Sequence, residues 1–394
     1  MQHSRNITQA RTASNLPPLN KTGIFNIPVP TSFTNYPPKR AVLINGTRST
    51  IQSAYTTKSP YLSSQTVSSQ QKPRSASRLQ VKQQQPAIVD QKDILDFHFE
   101  SIQGRRYSNE DAEVVQTQNN IQVAAIFDGH GGARVSKIAA QIYPSLVFTS
   151  IMSQGNVEDS IRQSIQFLES KVCSNRSLDE QGSTLSCVII HEQQVYVNHV
   201  GDSRVILGMK SQSIIATEDH SPDQKSEIER LKKIRGVFIS REFGISRVQG
   251  VLSLSRAVGD NVLKQFGVIC EPDVNVYPLD EISYILIACD GLFNIFSNDQ
   301  VDILVKSMKS GLTQAKQGEN KDLSEIAINY CSGNARSGDL GIKKLTGLPP
   351  DRGHNVCDID PKAPLEKRMC QVLVKMAYWL GSTDNITCML AFTQ

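Results

Sequence analysis

Four aspartates in this 394-residue chain stand at the edges of apolar runs, each beside a glycine or an asparagine. Asp128-Gly129 follows Val123–Phe127, and Asp290-Gly291 follows Tyr284–Cys289. Asp202 lies in Gly201-Asp202-Ser203 between two apolar runs, and Asp384-Asn385 stands one residue ahead of Thr387–Phe392. Glu110-Asp111 precedes the first of these runs by about a dozen residues. A carboxylate at the end of a buried strand loses hydration unless it is paired or binds a cation. Several gathered together repel one another, and divalent cations resolve that conflict. Ligation by oxygen alone selects hard ions, Mg2+ or Mn2+, over zinc. A lone Asp-Gly is ordinarily a turn; the case for metal chemistry rests on the whole set taken in order, with Arg106 and His130 alongside.

The elements that must position these groups can be read from pattern. Val123–Phe127 and Tyr284–Cys289 are short buried strands running into Asp-Gly, and Thr387–Phe392 is a last strand. Gly131-Gly132 opens a helical stretch reaching Ile142. Residues 195–208 read as a hairpin about Gly201-Asp202-Ser203. Residues 226–234 and the segment around 365–380 read as helices. Strands and helices come in blocks, which predicts an α+β fold with antiparallel sheets and helices packed outside.

Composition divides the chain near residue 90. Residues 1–89 hold eleven Lys/Arg and no Asp or Glu, whereas the remainder holds 31 basic and 38 acidic residues, a net −7. The first region is rich in Ser, Thr, Gln, Asn and Pro and lacks sustained periodicity, so it is expected to be a disordered basic tail. The tail reads as a solvated regulatory segment, with Ser59-Pro60 and Arg74 to Ser77 as phosphorylation sites. It would engage a kinase or another regulatory partner. Lys39-Arg40 followed by aliphatic residues resembles a kinase-docking stretch, and the other readings are a transit peptide or charge-driven contact with an anionic membrane or nucleic acid. Nucleic acid is not the expected partner, and a monomer is expected. No run approaches the roughly 18 apolar residues of a membrane span. The eight cysteines are scattered without a C-x-x-C pair, which argues against a zinc ribbon or a disulfide framework. A reducing compartment, cytoplasm and/or nucleus, is the natural expectation.

Residues 90–394 resemble the type 2C metal-dependent protein serine/threonine phosphatases. The resemblance is carried by eight segments in the family's order: 104–111 (GRRYSNED), 127–132 (FDGHGG), 182–184 (GST), 200–204 (VGDSR), 218–222 (EDHSP), 254–260 (LSRAVGD), 288–293 (ACDGLF) and 381–387 (GSTDNIT). It implies a four-layer α-β-β-α sandwich with a two-metal centre at one end. By that resemblance Asp128 bridges the two ions, Asp290 and Asp384 complete one, and Glu110 with the carbonyl of Gly129 holds the other. Asp111 supports the ligands, and Asp202 with Asp290 matches a weaker third site. A water bridging two such cations is acidified enough to attack phosphorus in line, the mechanism expected here for phosphoserine and phosphothreonine. Arg106 is the candidate phosphate clamp, with Arg105 the weaker choice, and His130 would protonate the leaving seryl oxygen.

Three departures qualify the expectation. Phe293-Asn294 stands where the family has Trp-Asp, so the third metal site is in doubt. Asp290 and Asp384 are 94 residues apart, longer than the family's interval, and the excess is placed as a surface insertion at about 313–364. The single tryptophan, Trp379, lies in a helical segment. Other phosphatase chemistries fail by inspection. Cys331 and Arg336 have four residues between them where a cysteine phosphatase needs five, and Asp351 to Asn355 and His354-x-x-Cys357 are isolated fragments. The rival reading is a catalytically inactive family-like scaffold acting through partner binding.

Overall fold

The computed structural model describes residues 94–315, 318–334 and 359–393. The basic tail and the 335–358 stretch lie outside the described residues.

Strand alternation builds the framework. Strands β1 (His98–Ile102), β2 (Ala112–Gln118) and β3 (Ile121–Phe127) come first. The short β4 (Gly129–His130) then leads into helices α1 (Arg134–Gln154) and α2 (Val157–Cys173). Next come β5 (Gly182–Ser183), β6 (Leu185–His191), β7 (Gln194–Val200), β8 (Arg204–Met209) and β9 (Ile214–Ala216). An excursion carries α3 (Lys225–Leu231) and the hairpin β10 (Ile239–Glu242)/β11 (Ile245–Val248). It returns through β12 (Val258–Gly259) and α4 (Asn261–Lys264) to β13 (Asp273–Pro278) and β14 (Ile282–Ala288). Helices α5 (Asp290–Phe293), α6 (Asn298–Ser310), α7 (Glu319–Cys331) and α8 (Leu365–Trp379) precede the last strand, β15 (Ile386–Phe392).

Two five-stranded antiparallel sheets result, ordered β1-β15-β14-β8-β9 and β13-β7-β6-β3-β2. Both faces of the central strands are apolar, as strands covered on both sides must be. In β3, Val123, Ala125 and Phe127 pack under α1 and α2, while Ala124 and Ile126 face the other sheet. In β14, Leu286 and Ala288 meet α6, α7 and α8, while Ile285 and Ile287 turn inward. Side chains one residue apart therefore fill different layers, and the α-β-β-α sandwich is the outcome.

Local details depart from the sequence reading. The helix expected to stop near Ile142 continues to Gln154 through Pro144, because the apolar stripe persists in Tyr143, Val147, Phe148 and Ile151. The 195–208 segment is no hairpin: β7 and β8 belong to different sheets, so Gly201–Ser203 is a crossing between layers. Gly-Asp-Ser turn chemistry is the same in both cases, and only the pairing partners tell them apart. Within the region read as a surface insertion, α7 packs Leu323, Ala327 and Tyr330 into the core beside α6 and α8. Residues 335–358 of that insertion, including Asp351 to Cys357, lie outside the described residues.

Candidate metal centre

Register brings the carboxylates to one end of both sheets. Ala112 pairs with Phe127, so Asp111 and Asp128 emerge side by side. Ala288 pairs with both Cys388 and Arg204, which puts Asp290, Asp384 and Asp202 at the same edge. Burial holds Asp128, Asp202 and Asp290 above the ordinary carboxylate range, and the neighbouring negative charges push the same way. For Asp128 those neighbours are Asp111, Asp290, Asp202 and Asp384. Asp111 is pushed up to about 7, again by burial first, against a hydrogen bond from Thr387 Oγ1 to its Oδ2 at 2.5 Å. Its other oxygen, Oδ1, is buried with no hydrogen-bond partner. Crowded, desolvated carboxylates with an orphan oxygen are the environment that a hard divalent cation relieves, and the all-oxygen donors fit such an ion.

The loop bearing Glu110 is stitched to the last strand. Asn385 accepts a hydrogen bond from the Glu110 amide (2.9 Å) and donates to the carbonyls of Gln103 and Ser108 (2.8 Å each). Gly104 has φ +62°, and a Cβ there would lie 2.0 Å from the Asp384 carbonyl oxygen, so only glycine permits this approach. The Glu110 carboxylate accepts hydrogen bonds from Ser108 Oγ at 3.2 Å and the Gly132 amide at 3.3 Å. The amide of Asp128 is fixed by Thr184 Oγ1 at 3.0 Å.

The two arginines divide their tasks. Arg105 donates to the carbonyls of Tyr378 and Ser382 and lies over the Tyr378 ring, 4.2 Å from its centroid. It ties the loop to the end of α8. Arg106 instead reaches Asp384 Oδ2 at 2.5 Å with its side chain 54% exposed, leaving guanidinium donors free to meet an incoming anion.

His130 bonds through Nε2 to Asp260 Oδ2 at 2.7 Å. Asp260 is buried and sits at φ +52° at the entry to α4. Gly182 makes the pair possible, since a Cβ there would fall 2.1 Å from Asp260 Oδ2 and 2.4 Å from His130 Nε2. Sequence reasoning quoted the 254–260 segment without giving Asp260 a role; only the three-dimensional pairing, 130 residues apart, reveals it.

Asn294 donates to Asp290 Oδ2 at 3.1 Å. The position read as weakening a third metal site therefore occupies one of that site's own oxygens. Phe293 is capped by Arg204, 4.8 Å from its ring centroid, and Arg204 is held bidentate by Asp219 at 2.7 and 2.8 Å.

A second group, His199, His220 and Asp273, also brings potential ligand atoms together. Its two imidazoles are stacked with centroids 4.4 Å apart and planes 2° from parallel. Nitrogen lone pairs lie in the ring plane, so parallel rings cannot converge on one ion at a bonding distance of about 2 Å. Burial, then His220, pushes His199 down to about 4, while His220 Nε2 lies 3.2 Å from Asp273 Oδ2, so the group reads as packing rather than as a metal site. The seven described cysteines are all free.

Comparison with known proteins agrees with this architecture. Among solved structures, a Caenorhabditis elegans sex-determining protein superposes with a TM-score of 0.56 at 22% identity, covering 76% of this chain and 65% of that one. A Toxoplasma gondii serine-threonine phosphatase 2C superposes at 0.53 and 19% identity, covering 76% of this chain and 95% of that one. At these identities the likeness concerns the fold. A probable protein phosphatase 2C 52 from rice (Oryza sativa subsp. japonica) is 30% identical over 250 residues, 60% of this chain and 48% of the relative. A probable protein phosphatase 2C 59 from Arabidopsis thaliana is 28% identical over 275 residues, 65% of this chain and 86% of the relative. The chain thus spans about half the length of the first of these two relatives. A family model described as Protein phosphatase 2C matches residues 95–335, more than half of the chain, and with the paired sheets and their carboxylate-lined end this places the chain in the protein phosphatase 2C family.

Proposed function

We propose that this chain is a divalent-metal-dependent protein serine/threonine phosphatase. The observation that carries the reading is the convergence of Asp111, Asp128, Asp202, Asp290 and Asp384, each strengthening the others' affinity for a positive charge, next to Arg106 and His130.

Glu110, Asp128, the carbonyl of Gly129, Asp290 and Asp384 are the groups that would hold two Mg2+ or Mn2+ ions, which when bound supply an activated water and neutralise phosphate charge. Everything else follows from the chain's own residues. Arg106, anchored at one nitrogen by Asp384, presents the rest of its planar fork to phosphate oxygens. Asp260 holds the His130 ring by Nε2, fixing its orientation for proton delivery to the departing seryl or threonyl oxygen. Asp111, bonded to Thr387, backs Asp128 from behind. Asn294 engages Asp290, which favours two ions over three.

The substrates under this reading are phosphoserine and phosphothreonine proteins. The basic tail, residues 1–89, is assigned to regulation or partner binding, and the cytoplasm and/or nucleus to residence, supported by the free cysteines. None of the described helices is long and apolar enough to cross a membrane. An inactive scaffold is the weaker reading, since every ligand position carries an oxygen donor. The test is a phosphothreonine peptide given to the full chain with Mn2+, Mg2+ or EDTA. Metal-dependent phosphate release that disappears in Asp290→Asn is expected; metal-independent release, or none, would sink the reading.

A further inference from the structure

The excursion between β9 and β12 is rooted at both of its ends against the candidate centre. At one end His220 donates its amide to the Gly201 carbonyl at 2.9 Å, next to Asp202, and accepts one at its own carbonyl from Ser255 at 2.9 Å. At the other, β12 pairs with β5 and leads straight to Asp260, the partner of His130. Between these roots Leu231, Val248, Leu252, Leu254 and Ala257 form a small core of their own, joined from beyond β12 by Leu263 and Val268. Glu227 clamps it, accepting from Arg230 at 2.6 Å and from Arg256 at 2.7 and 3.0 Å. The protrusion is therefore a built element beside the site.

Its outer surface has an unusual make-up. Phe243 is fully exposed at the tip, Phe238 and Ile245 are about half exposed, and Val251 more so. A groove of about 420 Å³ runs beneath, lined by Pro222, Ile228, Ile234, Val237 and Phe238 with Lys232 at its side. From Lys232 to Arg247 the chain carries five basic residues and one acidic, a net +4 on a 90–394 region whose net charge is −7. Lys232, Lys233 and Arg235 are exposed and have no ion-pair partner among the described residues. The groove's carboxylate, Asp223, already accepts from Ser246 Oγ at 2.7 Å and lies 4.0 Å from Arg241. Exposed aromatics among arginines, beside an apolar groove, are the composition of recognition surfaces rather than of inert ones.

Resting on the phosphatase reading, we propose that residues 232–247 form a docking surface for an acidic stretch of the phosphoprotein substrate, flanking its phosphorylated residue. Charge complementarity selects this occupant. The chain's own residues 1–89, with eleven basic residues and no acidic one, carry the same sign, so charge does not favour them as the occupant. A second copy apposing the same face would meet like charge. The roots at Gly201 and Asp260 place whatever binds there next to the catalytic end, where the substrate must be.

The experiment pairs two phosphothreonine peptides, identical except for Asp/Glu or Asn/Gln at the residues flanking the phosphothreonine. They are assayed on the full chain and on the triple variant Lys232→Ala, Lys233→Ala, Arg235→Ala. The wild type is expected to show a KM about tenfold lower for the acidic peptide at similar kcat, a preference that fades with salt and is lost in the variant. Hydrolysis of p-nitrophenyl phosphate, too small to reach the protrusion, stays unchanged in the variant. Equal KM for both peptides, or a preference retained by the variant, overturns the docking surface while leaving the phosphatase reading intact. Absence of hydrolysis of every substrate would instead sink the phosphatase reading. Fluorescence-anisotropy binding of the acidic peptide gives the docking result even then, and its loss in the triple variant is the expected outcome. Tighter binding to phosphatidylserine vesicles than to the acidic peptide, or peptide-blocked self-association by sedimentation, would overturn the assignment in favour of a membrane or a second copy.

Discussion

The pairing of His130 with Asp260 makes a sharp kinetic prediction for Asp260→Asn. The substitution keeps size and shape at a buried position where Gly182 leaves no space for a larger group. It removes the charge from a 2.7 Å contact to Nε2. A hydrogen bond to a charged group is worth about 1.5–3 kcal/mol, and about 1.4 kcal/mol is tenfold in rate, so the loss is about 10- to 150-fold if the contact acts only in the transition state. Most of that range lies below the roughly 10²–10⁴ that a general acid itself contributes, as befits a residue that positions the acid. The assay compares a phosphothreonine peptide, whose alkoxide leaving group needs a proton, with p-nitrophenyl phosphate, whose phenolate does not. The peptide rate is expected to fall by the stated factor at nearly unchanged KM, while the p-nitrophenyl rate changes little. Combining Asp260→Asn with His130→Gln should cost no more than His130→Gln alone, since the two act as a unit. An equal fall on both substrates, or no fall on the peptide, would refute the reasoning.

Other tests probe the remaining contacts. Arg106→Ala should lower kcat/KM for phosphopeptide with little change in Tm, whereas Arg105→Ala, which loses contacts to Tyr378 and Ser382, should lower Tm and act on kinetics only indirectly. Saturating Mg2+ at about 100 times its Kd should stabilise the fold by about 2.7 kcal/mol, several degrees in Tm reversible by EDTA, and Asp128→Asn should melt above wild type only when metal is absent. In EDTA the folded pKa of Asp111, about 7, exceeds its unfolded value of 3.8, so its contribution is fully present below about pH 3.8 and is lost as pH rises through about 7. Glu227 runs the other way, because its partners Arg256 and Arg230 outweigh its desolvation and lower it from 4.5 to about 2. Its stabilisation holds above about pH 4.5 and fades as pH falls through about 2, and Glu227→Gln should erase that window in acid denaturation followed by circular dichroism.

The parts of this site legible in sequence are those with a local signature. Asp128 and Asp290 each follow a short, nearly unbroken run of buried residues and precede a glycine, and such a run marks a strand covered on both faces. Blocks of such strands pointed to antiparallel sheets with helices outside, and the family resemblance supplied the four-layer sandwich. What stayed hidden depends on partners far along the chain. Nothing near Asp260 announces that its carboxylate faces His130. Nothing in Gly201-Asp202-Ser203 tells a crossing between sheets from a hairpin, since the flanking runs β7 and β8 are apolar in either case. The helix α7 was missed because its core contacts, Leu323, Ala327 and Tyr330, sit among polar residues whose composition suggests a loop.

The position of β15 has a consequence for how the molecule is made. β1 pairs with β15 alone, and β15 also lies against β14, so the N-terminal strand of the described fold has no neighbour until the chain has been synthesised through residue 392. Asn385 and Asp384 arrive in that same final stretch, and they lock the Glu110 loop and meet Arg106. Pairings across such sequence distances are slow to form, since loop closure precedes their reward. On a translating ribosome the other sheet can assemble early around α1 and α2 while the chemistry waits. A nascent chain not yet extended to Asp384 would be largely built yet lack both that carboxylate and the partner of β1, so completion of the site is written into strand order.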